Sequence, residues 1–582
     1  MCHDMTHPWN KGKNMRKRIV IIGAVALGPK VAARLRRLDP DVQITVVDRD
    51  NLISYGGCGI PYYVGGDIAD IEGLCSTSFH VVRDAKFFRD SKGVNVLTGV
   101  EAVSINRKEK KIDVQYMADG KKDSLEYDKL VIATGATPFT PPIPGVDLPM
   151  VFSVANLHSA KAIKDTISKG MVENAVVVGA GAIGIEMAEA LTDLWGIKTT
   201  IVEMADQVLP MALGKNISRI VENTLKESDV DLLLSEKLVR INGDAQSGVT
   251  SVETTGGQIE CDMVILSAGI RPNTKFASDA GLAVGRSGGL LVDSRMRTTD
   301  PDIYAGGDCV EVKNLVSGEN MMMPLGSLAN RQGRIIADNI HGRPSQFKGM
   351  VGTFCIKVFD SGVATAGLTV DQARRNGFDP VHAMVSQPDR AHFYPTASMM
   401  YIELIADRNT RKVLGIEAVG SQGDAVKARV DAVAPLLQSG ITVDDICTLE
   451  VGYAPPFASA MDIINNAGNV LDNILEGGNK PMDALEFFEK FANDEIKVID
   501  VRQPKEVESC IERYKDKWGN IPQSELKKRL DEIPKDEPVC LVCGTGARSY
   551  ECQRLLNHNG FVNVRNVQGG HTLLVALNPE FF

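Results

Sequence analysis

NAVVVGAGAIGIEMAEAL, residues 174–191, is followed at 198–206 by KTTIVEMAD. A β-branched run enters a glycine turn, a stretch of helical spacing follows, and a second β-branched run ends in an acid. This is the sequence form of a βαβ unit, whose two strands lie parallel. Gly179, Gly181 and Gly184 complete GxGxxG, and Glu203 stands 19 residues beyond Gly184. A dinucleotide requires a tight turn, close backbone approach to its pyrophosphate and a helix N-terminus facing that charge. A carboxylate at the end of the second strand accepts hydrogen bonds from a ribose 2′-OH and repels a 2′-phosphate. NADH is therefore expected in preference to NADPH.

The same form occurs earlier, as RIVIIGAVALGPKVAARLRRL (18–38) and QITVVDRD (43–50). Gly23 and Gly28 match, Val25 stands where the middle glycine is expected, and Asp48 closes the pattern 20 residues beyond Gly28. One glycine turn of this kind fits any tight strand–helix junction. Two in succession, each with its acid, predict two nucleotide-binding domains. Two further runs support this: YDKLVIATGATP (127–138) leads into Ala133-Thr134-Gly135, and TTDPDIYAGGDC (298–309) leads into Gly306-Gly307-Asp308.

The 582 residues exceed one core, and three to five domains are expected at roughly 100–200 residues each. A net charge of −10 argues against general nucleic-acid binding, though a local basic pocket for an anionic substrate stays open. No run approaches the length of a membrane-spanning helix. The apolar stretch Ile19–Gly28 reads as a buried strand entering a turn rather than a secretory segment, because Gly23, Gly28 and Pro29 punctuate it. Residues 1–15 are expected to be a disordered tail, with Met15 a candidate start. Eleven cysteines without framework spacing predict a reducing, cytoplasmic setting. Cys540 and Cys543 form a CxxC, but no second pair completes a zinc site, and no metal is expected.

On these runs the chain resembles the flavoproteins with two dinucleotide-binding domains, the pyridine nucleotide–disulfide oxidoreductases. The resemblance implies FAD on the first glycine turn, NADH on the second, and Asp308 on the ribityl chain. It also implies that SAGIRPNT (267–274) returns the chain to the FAD domain.

Two-cysteine reductases of that kind carry C-x4-C after the first βαβ unit. Here the segment reads Ser54-Tyr-Gly-Gly-Cys58-Gly-Ile-Pro61-Tyr-Tyr, and the next cysteine is Cys75. A single thiol must act with a sulfur from outside this segment. Pro61 suits a first helical turn, so Cys58 is expected at a helix N-terminus, where the dipole lowers a thiol pKa. Gly56, Gly57 and Gly59 permit close approach to a flat ring.

The pattern resembles the single-cysteine branch of the family: coenzyme A-disulfide reductases, NADH-dependent persulfide and polysulfide reductases, and NADH oxidases. The likeness runs from about residue 16 to 475. It implies that Arg34 and Arg37 of the first helix bind CoA phosphates and that Ser54 contacts substrate. It further implies that Tyr394 in HFYP (392–395) and Tyr453 in GYAPPF (452–457) reach the cysteine of a partner subunit in a homodimer. Gly57 replaces the asparagine, and Met461 the lysine, that CoA-using relatives often carry.

The last hundred residues form a separate α/β unit. EIKVIDVRQPKEV (495–507) precedes EPVCLVCGTGARSYECQRLL (537–556) and NVRNVQGGHTLL (563–574). The loop Cys543-Gly-Thr-Gly546-Ala-Arg548-Ser549 lies between an apolar run and a helical stretch. It is expected to point successive N–H groups inward as an anion nest, with Arg548 and the helix dipole favouring a Cys543 thiolate or persulfide. It resembles the active loop of rhodanese sulfurtransferases, as DVRQPKEV resembles their upstream DVR-x-P-x-E. Their intervening G-H-I-P-G-A is replaced by a longer stretch ending in Trp518-Gly-Asn-Ile-Pro522.

The expected architecture is α/β: an FAD domain at 16–150 and 271–345, an NAD domain at 151–270, an α+β dimerisation domain at 346–476, a linker EGGNKP at 476–481, and a rhodanese-like domain at 482–582. In the dimerisation domain GVATAGLTV, SMMYIELIAD and KVLGIEAVG read as strands, with helices around Asp424–Gln438 and Ser459–Leu475. The expected activity is FAD-dependent reduction of a persulfide, a polysulfide or CoA disulfide by NADH, with Cys58 and Cys543 as the sulfur-handling thiols. An NADH oxidase cycling Cys58 through sulfenic acid, and a slow redox sensor or sulfur carrier, are the alternatives.

Overall fold

The computed structural model describes residues 17–582; the tail expected at 1–15 lies outside the described residues. Both glycine units fold as five-stranded, all-parallel sheets that share the order of four strands and differ in the fifth, which follows the unit in the first and precedes it in the second. In the first, Asn95–Thr98, Gln43–Asp48, Arg18–Ile22, Lys129–Ile132 and Ile303–Ala305 lie side by side. In the second the order is Val230–Leu233, Lys198–Val202, Asn174–Val178, Met263–Leu266 and Val151–Ser153. Central strands of parallel sheets are covered on both faces, which is why the consecutive residues Ile19, Val20 and Ile21, and Leu130, Val131 and Ile132, are all buried without alternation. Two strand segments, Ala136–Pro138 and Ile270–Pro272, run antiparallel where the chain crosses between these domains. Asn273 fastens the crossing: its amide donates to the Thr134 carbonyl at 2.9 Å, and its own carbonyl accepts from the Thr134 hydroxyl at 2.7 Å.

A third sheet is antiparallel, in the order Phe354–Val358, Ser361–Gly367, Val413–Gly420, Met399–Asp407, Pro380–Pro388. Pro380–Pro388 is a strand that sequence reading missed. Helices Gly423–Leu437 and Ile463–Leu475 pack on this sheet. The second begins later than Ser459, because Asp462 caps it, its carboxylate accepting from the Ile464 amide at 3.1 Å.

The C-terminal unit is a parallel sheet, ordered Pro481–Met482, Val564–Val567, Val539–Val542, Lys497–Asp500, Trp518–Asn520. The stretch that departs from the rhodanese pattern forms the helix Pro504–Tyr514 and then this last edge strand. EGGNKP is not a free tether. The Gly478 carbonyl accepts from Gln553 at 3.2 Å, the Lys480 amide donates to the Gln553 side chain at 2.9 Å, and Pro481 already lies in the sheet. Its glycines allow the turn, while tertiary hydrogen bonds fix it. The unit packs on the NAD domain through Leu573, Leu577, Ile217 and Val221, which belong to one buried cluster. It meets the third sheet where the Met384 amide donates to the Gln568 side chain at 2.6 Å.

Candidate active site

Each glycine turn is closed by its acid. Gly23 (φ +107°) and Gly179 (φ +104°) occupy a conformation side chains avoid, and a Cβ on Gly23 would lie 2.1 Å from the Ala133 carbonyl oxygen. Gly28 and Gly184 allow helix and strand to touch: a Cβ at either would stand 1.9 Å from the carbonyl oxygen of Gly23 or Gly179. Gly181 has nothing within 4 Å of its Cβ position, leaving room at the turn for a pyrophosphate. Asp48 accepts from the Ala24 amide at 2.6 Å, and Glu203 from the Ala180 amide at 2.7 Å. Burial raises the carboxyl pKa of both Asp48 and Asp308, the latter at the single helical turn Gly307–Cys309. Two strand-to-helix glycine turns with terminal acids, plus Asp308 beside the first, fit two dinucleotides.

The thiol turn is built onto the first of these sites. Ser54 is buried at φ +52°, and its amide donates to the Ala24 carbonyl at 2.7 Å, inside the glycine turn. Cys58 is exposed, in a single 3-10 turn Gly57–Gly59 that runs into the six-residue helix Ile60–Gly65. Here the structure corrects two expectations. That helix is too short to supply much dipole; the amide facing the sulfur belongs to Gly326, first residue of the fifteen-residue helix Gly326–Ile340. Nor do the chain's own groups lower the thiol pKa. Although the residue as a whole is exposed, desolvation of its sulfur by the surrounding protein, then the Glu186 and Asp308 carboxylates, raise it, and the Gly326 amide offsets only part.

Cys75 is nearer than its sequence distance implied, since the Gly56 amide donates to the Leu74 carbonyl at 3.0 Å. Its thiol is nonetheless buried, in a hydrophobic cluster with Ile60 and Tyr63. Glu186, which no motif flagged, lines a pocket of about 150 Å³ with Pro61, Tyr62 and Glu189. Burial first, then Glu189, push its carboxyl up to about 7.

The candidate substrate residues are unequal. Arg34 forms a buried ion pair with Asp338 at 2.7 Å, so its guanidinium already has an anion. Arg37 is exposed on the same helix. Arg36, its neighbour, donates to the Lys92 and Gly93 carbonyls at 3.1 and 2.6 Å. Tyr394 and Tyr453 lie on two loops of the dimerisation domain joined by buried Arg429, which donates to the Asp389 and Phe457 carbonyls at 2.9 and 3.1 Å and to the Asp462 carboxylate at 2.9 Å. Tyr453, Phe393, Phe457 and Met461 are all exposed there. Nothing in the spacing of Arg429 marked it as the organiser.

In the C-terminal unit Cys543 is buried at the end of strand Val539–Val542. The Gly546 amide donates to its sulfur at 3.1 Å, and the Ser549 hydroxyl lies 3.3 Å away. The His571 and Thr572 amides hold the back of the loop through the carbonyls of Cys543 and Gly544, at 2.7 and 3.0 Å. Arg548 is shared: it pairs with Glu506 at 3.2 Å while a Cβ on Gly544 would come 3.2 Å from its guanidinium. The expected cation therefore lies over the loop with its charge partly neutralised. Asp500 and Arg502 of DVRQPKEV form a buried pair at 2.7 Å, to which the Trp518 indole donates at 3.2 Å. Their role is to brace the sheet edge.

Comparison with known proteins agrees with this construction. Residues 17–333 match the pyridine nucleotide-disulphide oxidoreductase model, 353–463 its dimerisation domain, and 483–575 the rhodanese-like domain. The solved NAD-dependent persulfide reductase from A. fulgidus is 38% identical, with a TM-score of 0.90 over 96% of this chain and 100% of that one. The NAD(P)H coenzyme A polysulfide/persulfide reductase of Pyrococcus horikoshii is 33% identical over 78% of this chain and 97% of that protein. An NADH oxidase of Methanocaldococcus jannaschii is 34% identical over 75% of this chain and 95% of that protein. The chain belongs to the pyridine nucleotide-disulphide oxidoreductase family, as a flavin-dependent NAD(P)H oxidoreductase carrying a dimerisation domain and a rhodanese-like domain.

Proposed function

We propose that the protein reduces sulfane sulfur or disulfide carried on a small thiol, with NADH as donor and Cys58 as the redox thiol. The observation that carries this reading is an exposed cysteine set on the first glycine turn, in a chain that also holds a buried cysteine whose sulfur accepts the Gly546 amide. As thiolate, Cys58 attacks the outer sulfur of a persulfide, or one sulfur of a disulfide. The S–S bond breaks and the carrier thiol leaves with a proton. FAD held at the Gly23–Gly28 turn and Asp308, with NADH at the Gly179–Gly184 turn, would supply the two electrons that return the Cys58 persulfide or mixed disulfide to the thiolate, with sulfide or the second thiol leaving. Cys543 holds sulfane sulfur for delivery, its charge met by the Gly546 amide.

Arg37 is the cation left for a phosphorylated carrier such as coenzyme A, and Ser54 a substrate contact. Tyr394 and Tyr453 would serve the thiol of a partner subunit in a homodimer. Every cysteine among the described residues is free, in keeping with a cytoplasmic setting. No helix among the described residues is long and apolar enough to cross a membrane.

NADH oxidation measured against CoA disulfide, CoA persulfide, glutathione persulfide, polysulfide and oxygen tests the reading. Cys58→Ser should lose about a thousandfold or more on every sulfur acceptor. Wild-type persulfide turnover in that variant would sink it. The oxidase reading draws on the likeness to the Methanocaldococcus protein. Sulfur-independent oxygen uptake at the persulfide rate would favour it, although a sulfane carrier has no use in oxygen chemistry.

A further inference from the structure

Three domains meet at a buried cluster of acids that the reaction does not use. Glu403 and Glu417 stand opposite each other on adjacent strands, and both are buried. The Gly214 amide, at the start of the NAD-domain helix Lys215–Glu227, donates to Glu417 Oε2 at 2.7 Å. Glu403 Oε1 lies 2.5 Å from His382 Nδ1 and accepts from the Asn216 amide at 3.3 Å. The remaining oxygens, Glu403 Oε2 and Glu417 Oε1, have no hydrogen-bond partner. They converge: a Cβ on Gly214 would lie 3.2 Å from one and 3.3 Å from the other. Two buried carboxylates whose orphan oxygens face one spot are satisfied by a single shared proton.

The rhodanese-like domain enters through Asp483, the cap of its first helix Ala484–Ala492. Asp483 accepts from the Asn216 amide at 3.0 Å and lies 3.9 Å from His382 Nε2. We infer that this cluster is a proton-operated latch: a proton shared by Glu403 and Glu417, and a second on His382, hold the rhodanese-like domain against the other two, and their loss as pH rises releases it.

The charges around it support that sign. Burial first, then the Glu403 charge, raise Glu417 well above the ordinary carboxyl range. For His382 burial works downward, but Glu403 and Asp483 outweigh it and the imidazole pKa is raised. Arg374, on the neighbouring helix Val370–Arg375, opposes His382, and Lys215 is paired with Asp206 at 2.9 Å. Both raised groups give stability that is full below their unfolded pKa values and is lost as pH climbs through the folded ones.

Hydrogen exchange of the full-length, flavin-loaded protein from pH 6 to 9 tests the latch. The reporter is the Met384 amide, whose acceptor Gln568 belongs to the rhodanese-like domain. After correction for intrinsic exchange, its opening should rise about tenfold per pH unit where one proton is released and up to about a hundredfold where both are. Glu417→Gln, which fixes the protonated form of the acid pair, should leave only the shallower rise that His382 alone sets. Should that variant not fold, Asp483→Asn keeps a helix-capping side chain, removes a partner of His382, and should move the rise to lower pH. A flat wild-type profile, a Glu417→Gln profile that climbs like wild type, or an Asp483→Asn rise that does not move overturns the inference.

Discussion

Cys58 and Cys543 are both unpaired thiols beside a strand-to-helix turn, yet their surroundings are opposite. Cys543 is buried, accepts the Gly546 amide at 3.1 Å and lies 3.3 Å from the Ser549 hydroxyl, both from the seven residues of its own loop. Cys58 is exposed, and the groups that act on it come from distant segments: Gly326 draws its pKa down, while Glu186 and Asp308 hold it up. A sulfur that must store negative charge is preorganised by a backbone donor of its own loop, the Gly546 amide. A sulfur that must react with an external sulfur and then with a flavin is left open, its reactivity set by whatever the rest of the fold and the substrate bring.

The largest effect should come from exchanging the two losses. Cys58→Ser is expected to remove NADH-linked reduction and spare thiosulfate:cyanide sulfurtransfer. Cys543→Ser should do the reverse, keeping reduction of free persulfide within about twofold while losing sulfurtransfer by roughly a thousandfold or more. If either variant lost both activities, the two thiols would form one inseparable site and the contrast would collapse. Next in size is Glu203→Ala. Removing a charged acceptor of a ribose hydroxyl costs about 1.5–3 kcal/mol, so the NADH-to-NADPH ratio of kcat/KM should fall roughly ten- to a hundredfold. Smaller still is Gly570→Ala. Gly570 has φ +63°, and a Cβ there would lie 2.6 Å from both the Cys543 and Gly544 carbonyl oxygens. Strain of about 1–3 kcal/mol should lower the melting temperature and depress sulfurtransfer more than reduction, because the displaced loop is the one that holds Cys543.

The same contrast explains what the sequence disclosed. The glycine turns, the parallel strands and the Cys543 loop are local patterns, fixed by backbone conformation within a dozen residues, and all were legible. So was the lack of a C-x4-C partner for Cys58, although the fold brings the segment of buried Cys75 against its turn. What stayed hidden was assembled across the chain: the Gly326 helix facing the thiol, Glu186 beside it, Arg429 joining the two tyrosine loops, and Asp338 occupying Arg34. The strand Pro380–Pro388 carries no strong alternation, and its burial depends on packing against the helix Ile463–Leu475 and the C-terminal unit. Spacing cannot report a partner that lies hundreds of residues away, and a basic helix face reads alike whether an arginine meets solvent, a phosphate or a buried aspartate.

The smallest effect sharpens the contrast most, because it acts on Cys58 through charge alone. Glu186 titrates near 7 and, once ionised, raises the Cys58 pKa. Glu186→Gln removes that charge while keeping the side chain's size and its place in the pocket with Tyr62. The pH profile of Cys58 alkylation by iodoacetamide should then move to lower pH. A shift of half a unit to one unit corresponds to an alkylation rate about three- to tenfold higher at pH 8. Below pH 6 wild type and variant should converge, because Glu186 is already protonated there and the substitution changes little. Cys543 should show no shift at any pH, since Glu186 belongs to another domain. A variant profile that coincided with wild type above pH 7 would mean that the thiol is governed by burial and the Gly326 amide, and that the acid beside it serves only the pocket.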